Sequence, residues 1–315
     1  MTIWRAAATL ARAGTGGALA TVARTLGSTP VPVGTKMLIG PAGRLEGSVG
    51  GGCVEADVLE AAQAAIRQGP VIRTHHLNAD IAGDLGLSCG GTVEIVVEPL
   101  VPHAAYVAAL DAAAAAEQGT LTTALDWSRG PGKQFTSATD PNGPAAALSE
   151  DRHTLVEHLL LPPRVVVFGA GHVGSAIAHA ASIAGFRVVV VDDRPEFADP
   201  QRFPGTMRII AAPLDTALAA VALVPQDAVV IATRGHRHDA VILERVATSG
   251  AGYVGLLGSR RKQAVVTKAL RAAGVPAAAL ERVRVPVGLA IGAETPEEIA
   301  VSVAAELIAW RRRPT

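Results

Sequence analysis

Aromatic side chains make up only 3% of this 315-residue chain, and cysteine occurs just twice. With so few rings, the core has to be built from Ala, Val, Leu and Ile, the bulk of a hydrophobic fraction of 49%. Two cysteines, each beside glycines, do not make the disulfide framework of a small secreted domain. Excess charge is missing as well: Lys plus Arg and Asp plus Glu number 28 each. A neutral chain carries no electrostatic footprint for nucleic acid or for an anionic membrane, so neither is an expected partner. No uninterrupted run of about 18 apolar residues occurs, so no transmembrane helix is expected. Met1-Thr-Ile-Trp-Arg5 lacks the basic-then-apolar layout of a secretory signal. The expectation is a cytoplasmic, soluble protein with reduced thiols and room for two domains.

What is present is a glycine fingerprint in its proper setting. The apolar run Arg164-Val-Val-Val-Phe168 enters Gly169-Ala-Gly171-His172-Val-Gly174, a helical pattern follows, and a second apolar run ends at Asp192-Asp193. Gly169 allows the tight turn, Gly171 lets backbone approach a phosphate, and Gly174 lets the helix pack closely on the strand. The helix start then offers unpaired N–H groups and partial positive charge to a phosphate or pyrophosphate. Asp192 stands where such motifs hold a ribose hydroxyl.

Around this motif the second half alternates strand and helix. Strands are expected at Val165–Phe168, Val188–Val191, Met207–Ile210, Ala228–Thr233, Tyr253–Leu257 and, more weakly, Val283–Val285. A last helix opens at Thr295-Pro-Glu-Glu298 with the residues of a capping box. The fold class expected is α/β. A smaller α+β domain over residues 1–160 precedes a Rossmann-like, doubly wound parallel sheet over residues 161–315. In the first domain, helical spacing over Cys53–Arg67 places Val54, Val58, Ala61, Ala65 and Ile66 on one face. Residues 128–152, rich in Gly, Pro, Ser, Asp and Asn, read as hairpin turns or loop.

Ligands of open parallel sheets sit outside the carboxyl ends of the strands, so the loops there are the candidate sites. After the Ala228–Thr233 strand comes Arg234-Gly-His236-Arg-His-Asp239, suited to anion binding or proton transfer, or else a solvated polar loop. After Tyr253–Leu257 comes Gly258-Ser259-Arg260-Arg-Lys262, a second candidate anion site in which the cations oppose the helix dipole unless an anion is bound. His172, inside the fingerprint, is a candidate hydrogen-bond partner of the bound group or a packed neutral ring. In the first domain Gly51-Gly52-Cys53 forms a glycine loop that delivers a cysteine to a helix start, a position that favours exposure and thiolate chemistry or soft-metal ligation. Glu55 orients a proton there or caps the helix. Cys89 is open between a role and plain burial, and zinc spacing is absent.

In order along the chain, Gly27-Ser-Thr-Pro30, Gly34-Thr-Lys-Met37, Gly47-Ser-Val-Gly-Gly-Gly-Cys53-Val-Glu55, Cys89-Gly-Gly91, the glycine fingerprint, Asp192-Asp-Arg-Pro195, Gly255-Leu-Leu-Gly-Ser-Arg260-Arg-Lys262 and Gly292-Ala-Glu-Thr-Pro-Glu-Glu298 make a specific set. On these motifs the sequence resembles the XdhC/CoxI family of accessory proteins for xanthine dehydrogenase-type molybdenum hydroxylases. It departs from the family at Gly50, often Ser, and at Ala290, usually Asp. The resemblance implies a homodimeric chaperone, not a conventional enzyme. Its cargo is then the molybdenum cofactor, as molybdopterin or molybdopterin cytosine dinucleotide. Such a chaperone protects the cofactor, supports its sulfuration and delivers it to the apo molybdenum hydroxylase. A cysteine desulfurase and a molybdopterin cytidylyltransferase are the further partners implied. The cofactor-binding residues expected are Gly51, Gly52, Cys53, Gly169, Gly171, His172, Gly174, Asp192, His236, Ser259 and Arg260. The molybdenum is expected to face Cys53 and His172 with the cofactor spanning both domains. Two other readings compete: an NAD(P)-dependent oxidoreductase, on the fingerprint and Asp192 alone, and a thiol-redox protein built on Cys53 and Cys89.

Overall fold

A computed structural model describes residues 3–77, 90–141, 143–203 and 207–312, without the side chains of Leu214, Asp215, His236, Arg237 and Arg260. Cys89 lies outside the described residues. The chain divides into two compact units, Met1–Leu161 and Pro162–Thr315.

The first unit runs α1 (Ile3–Ala13), β1 (Ala18–Leu26), β2 (Lys36–Gly40), β3 (Gly43–Gly47), α2 (Gly52–Gln68), β4 (Val71–His76), β5 (Thr92–Pro99), α3 (Ala104–Ala115), β6 (Gly119–Ala124), β7 (Lys133–Thr136), β8 (Ala146–Leu148) and β9 (Thr154–Leu159). Five of the strands form an antiparallel sheet in the order β3-β2-β1-β5-β4. Its side chains alternate between two buried faces, as the period of a strand requires. Ala18, Ala20, Val22, Met37, Ile39 and Ile95 meet α2, while Leu19 and Leu38 meet α1 and α3.

On α2 the buried stripe is Val54, Val58, Ala61, Ala62 and Ala65. Ile66, expected on that face, is exposed. At 3.6 residues per turn each i→i+4 step drifts by about 40°, and Ile66 is carried past the edge of the stripe.

Residues 128–152 hold more than turns. Gly130, at φ 94°, does turn the chain between β6 and β7. The segment nonetheless contributes β7 and β8 to a second antiparallel sheet, β7-β6-β9-β8. None of its four strands, nor the half-exposed edge strand β4, has an apolar run long enough to be read from sequence.

The two sheets of this unit are joined by crossed ion pairs. Lys36 of β2 pairs with Glu157 of β9, and Lys133 of β7 pairs with Glu98 of β5 at 2.9 Å. Each sheet therefore supplies one cation and one anion. Lys133 also donates to Thr123 Oγ1 at 2.5 Å, and the Tyr106 hydroxyl donates to Glu98 Oε2 at 2.6 Å. Burial, and then the Glu98 charge beside it, hold that hydroxyl's pKa well above the ordinary tyrosine value. Lys133 and Glu98 are almost wholly out of water.

The second unit runs β10 (Arg164–Phe168), α4 (His172–Ile183), β11 (Arg187–Asp192), β12 (Arg208–Ala211), α5 (Leu214–Val221), β13 (Ala228–Ile231), α6 (His236–Ala247), β14 (Tyr253–Leu256), α7 (Arg260–Ala272), α8 (Ala277–Glu281), β15 (Val283–Arg284) and α9 (Pro296–Arg311). Its six strands are parallel, in the order β12-β11-β10-β13-β14-β15. The fold is the α/β one expected, a Rossmann-like sheet after an α+β unit, although the two units are nearly equal in length. Val165, Val167, Val188 and Val190 pack under α4 and α9; Val166, Phe168, Val189 and Val191 pack under α5, α6 and α7. Burial on both faces is why these strands read as unbroken valine runs. Thr295 and Glu298 close the capping box of α9.

Because Lys133 and Glu98 are buried as a pair, removing one partner strands the other. Lys133→Met should cost about 3–5 kcal/mol. Lys133→Met with Glu98→Leu should recover much of that loss in urea unfolding followed by tryptophan fluorescence. A double variant as unstable as the single one would show that the pair is not what matters.

Candidate functional site

The strand order places the topological switch point between β10 and β13, since the chain leaves these neighbours toward opposite edges. Ligands of such sheets bind in the crevice at the carboxyl ends of that pair. The glycine turn, residues 169–171, follows β10, and Thr233, Arg234 and Gly235 follow β13, so both stand at that edge of the sheet.

The three glycines differ in what demands them. Gly169 has φ 106°, and a Cβ there would collide with the Ala232 carbonyl. A Cβ on Gly174 would strike the carbonyl oxygen of Gly169, so this glycine lets α4 sit against the turn. Gly171 is unlike both. Its φ is −65°, and a Cβ built on it meets nothing within 4 Å. The fold does not need a glycine there, but an anion lying on the backbone would. No side chain caps α4, so its first N–H groups are left for a ligand. The start of α6 is uncapped in the same way, with Gly235 at its N-cap.

Asp192 closes the β11 side. Its Oδ2 accepts from Ala170 N at 2.7 Å and Arg194 Nη2 at 2.9 Å; its Oδ1 accepts from Arg194 N at 3.0 Å and Nε at 2.9 Å. A carboxylate offers about four lone-pair sites, so none is left for a ribose hydroxyl. In this structure those bonds make Asp192 the tie between the glycine turn and β11. Burial pushes its pKa up, but the Arg194 fork and the two backbone N–H groups outweigh that and hold it below the ordinary carboxylate range. Arg202 grips the same turn from the other side, donating to Ala170 O at 3.0 Å and Phe197 O at 2.7 Å. Nothing in the sequence near Arg202 marked it. Arg194, two residues past the acid in Asp-Asp-Arg-Pro, was the legible sign that Asp192 is occupied.

The second candidate anion site is largely spent on the fold. Ser259 Oγ caps α7 by accepting from Lys262 N at 3.3 Å. Lys262 pairs with Asp239 at 2.5 Å and donates to Leu257 O at 2.8 Å. Asp239 is fully buried and also accepts from Thr233 Oγ1 at 2.6 Å. These contacts tie the loop after β14 to the first turn of α6, so Lys262 and Asp239 are a structural pair. His236 and Arg260 are the first residues of α6 and α7, and their side chains are not described. Arg234 pairs with Asp193 at 2.9 Å, linking the loops on either side of β10. His172 is exposed at the start of α4 and lines a groove of about 570 Å³ between α4 and α9, with His179, Arg202 and Glu297.

In the first unit, Gly50, Gly51 and Gly52 all take positive φ (137°, 73° and 52°), a run of backbone that side chains would oppose. They deliver Cys53 as the second residue of α2, exposed and free. A Cβ at Gly51 or Gly52 meets nothing within 4 Å, and no side chain caps α2. Glu55 accepts from Ser48 Oγ at 2.5 Å and Arg44 Nη1 at 3.4 Å. It pins the glycine loop and the β3 strand to the helix. Among the described residues, no cluster of three or more His, Cys, Asp and Glu side chains could hold a metal ion. No helix among them is long and apolar enough to cross a membrane.

Residues 165–307 match the family described as the XdhC Rossmann domain, and residues 10–76 match the XdhC and CoxI family. A Bacillus subtilis protein named as a probable xanthine dehydrogenase subunit is 31% identical over 320 residues, covering 94% of this chain and 93% of its own length. The chain belongs to the XdhC and CoxI family. An Escherichia coli relative, uncharacterized protein YqeB, is 29% identical over 92% of this chain, which spans 43% of that longer protein. A crystal structure of a xanthine dehydrogenase from Bacillus halodurans superimposes with a TM-score of 0.78 at 26% identity, covering 99% of this chain and 96% of that one. The family matches take in the crevice, the glycine loop and Cys53. The second sheet of the first unit lies outside both matched segments.

Asp192 sets a pH dependence for this XdhC chain. Its depressed pKa stabilises the fold fully above the ordinary carboxylate value near 4, and that contribution is lost as pH falls through the folded value. Asp192→Asn should cost about 2–4 kcal/mol at neutral pH, with the gap to the parent closing below about pH 4. A gap that stays constant down to pH 2 in chemical unfolding would sink this account.

Proposed function

We propose that this chain is a maturation factor for a xanthine dehydrogenase-type molybdenum hydroxylase. In this reading it binds molybdenum cofactor as cargo, supports its sulfuration and hands it to the apo-enzyme. The observation that carries the reading is Gly171, a glycine whose backbone has no need of one, at the uncapped start of α4. Such a cradle suits the phosphate of molybdopterin, or the pyrophosphate of its cytosine dinucleotide, and the uncapped start of α6 adds donors across the switch point. The first unit offers the exposed thiol of Cys53 on a loop of three positive-φ glycines, a soft ligand suited to the molybdenum end. A cysteine desulfurase as sulfur source, a cytidylyltransferase as cofactor source and a second copy of the chain complete the proposed set of partners.

The same geometry weighs against a nicotinamide oxidoreductase. Asp192 has no lone pair left for the ribose, and the described crevice wall spends Asp239 and Lys262 on each other.

The deciding experiment is co-expression with the molybdenum cofactor pathway, followed by metal analysis and oxidised-pterin fluorescence. Stoichiometric molybdenum and pterin are expected, and released cytidine would identify the dinucleotide form. Protein that holds NADH but neither molybdenum nor pterin would overturn the proposal. Cys53→Ala should abolish retention of sulfurated cofactor without loss of fold, and undiminished retention would remove Cys53 from the mechanism. Gly171→Ala should cost no more than about 1 kcal/mol of stability. It should nonetheless lower cofactor retention at least about tenfold, a loss of roughly 1.4 kcal/mol of binding. Normal retention by that variant would place the phosphate elsewhere.

A further inference from the structure

The glycine turn is clasped from both sides. On the β11 side, Ala170 N donates to Asp192 Oδ2 at 2.7 Å. On the β13 side, a Cβ on Gly169 would collide with the Ala232 carbonyl and stand 3.0 Å from Thr233 Cα. The next residues on the two sides are Asp193 and Arg234, and they meet: Arg234 Nη2 donates to Asp193 Oδ2 at 2.9 Å. β10 lies between β11 and β13, with Phe168 in register with both Val191 and Ile231. The two flanking strands are therefore two spacings, about 10 Å, apart. An ion pair that joins their ends crosses the carboxyl end of β10, where the glycine turn begins.

The other charges at this edge are committed. Among the described residues, Arg194 forks Asp192, Lys262 pairs with the buried Asp239, and Arg202 donates to the Ala170 and Phe197 carbonyls. His172 is exposed at the start of α4, and His238 is half-buried in the first turn of α6. The Asp193–Arg234 pair differs in being wet, with the arginine side chain 48% exposed and the aspartate 27%. An ion pair so open to water is held weakly. The Asp193 charge also acts on Arg194, so it keeps a cation nearby if Arg234 leaves.

An anion cradled at Gly171 would thus lie beside a guanidinium retained by a surface carboxylate. The guanidinium fork fits two phosphate oxygens at once, and a phosphate brings more negative charge than the carboxylate it displaces. We infer that Arg234 is the cation that closes on the phosphate of the bound cargo, and that Asp193 competes with that phosphate for it. This rests on the placement of the cargo phosphate at Gly171. It adds one side chain to a site whose other donors are backbone N–H groups.

Isothermal titration of the full chain with inorganic pyrophosphate tests the exchange. Arg234→Ala should weaken binding at least about tenfold, the scale of a lost charge-assisted hydrogen bond. Asp193→Asn should tighten it about threefold, the scale of an exposed ion pair that no longer competes. Both side chains reach solvent, and circular dichroism of both variants should match the parent. Glu196→Gln removes an exposed carboxylate three residues further on and should leave the affinity unchanged. Combined with Arg234→Ala, Asp193→Asn should lose its gain, because no arginine is left to release. Unchanged affinity in Arg234→Ala would overturn the inference. So would an equal gain in Glu196→Gln, or a gain from Asp193→Asn that persists without Arg234. Gly171→Ala separates this inference from the reading beneath it. Binding that weakens in Gly171→Ala but not in Arg234→Ala would remove Arg234 and leave the cradle in place. Pyrophosphate that fails to bind the parent, or binds regardless of Gly171, would overturn both.

Discussion

Asp192 stands at the end of β11 with 2% of its surface exposed, and four donors converge on its carboxylate. A charge taken out of water is tolerated only when its lone pairs are matched, and the elements that supply the donors are thereby tied to the one that supplies the acid. Here the tie runs from β11 to the glycine turn after β10 and to the chain just beyond β11. Asp239 does the same between the β13 loop, α6 and α7, through Thr233 and Lys262. In the first unit Glu98 and Glu157 do it between two sheets. Hydrophobic burial forms each layer, but these matched charges set how neighbouring elements are joined within a unit.

The same requirement sorts the polar residues of the crevice. Acids and cations that looked free in the sequence, Asp192, Asp239 and Lys262, are consumed by one another or by backbone. What remains for a ligand is chiefly the backbone itself: the uncapped starts of α4 and α6, and the open space above Gly171. An anion held by N–H groups and a helix start needs no buried counter-charge. Cys53 presents the complementary case, a free thiol kept exposed after backbone that only glycine adopts readily.

Much of this was legible in one dimension. The parallel sheet could be read because its strands are buried on both faces, which leaves unbroken runs such as Val165-Val-Val167 and Val188-Val-Val-Val191 between glycine turns. The capping box of α9 and the strand-turn-helix context of Gly169–Gly174 are local patterns, and local patterns survive in sequence. The second sheet of the first unit was not legible. Its strands run from three to six residues, and its two short hairpins, β6–β7 and β8–β9, become one sheet only through the long-range β6–β9 pairing. Ile66 was misplaced for a related reason, since a helix face is decided by where its partner sheet ends.

The sequence alone therefore carried the fold class, the glycine fingerprint, the exposed cysteine and the family. Each of these depends on residues close together in the chain or on motifs in fixed order. Tertiary structure decided which charges are spent and which are available. Lys36 meets Glu157, Lys133 meets Glu98 and Lys262 meets Asp239 across separations that no sequence window spans. The free oxygen of Glu157 and the unfilled space over Gly171 are likewise products of packing. Hydrogen-bond satisfaction is a property of three-dimensional neighbours, and it exists only once the chain has folded.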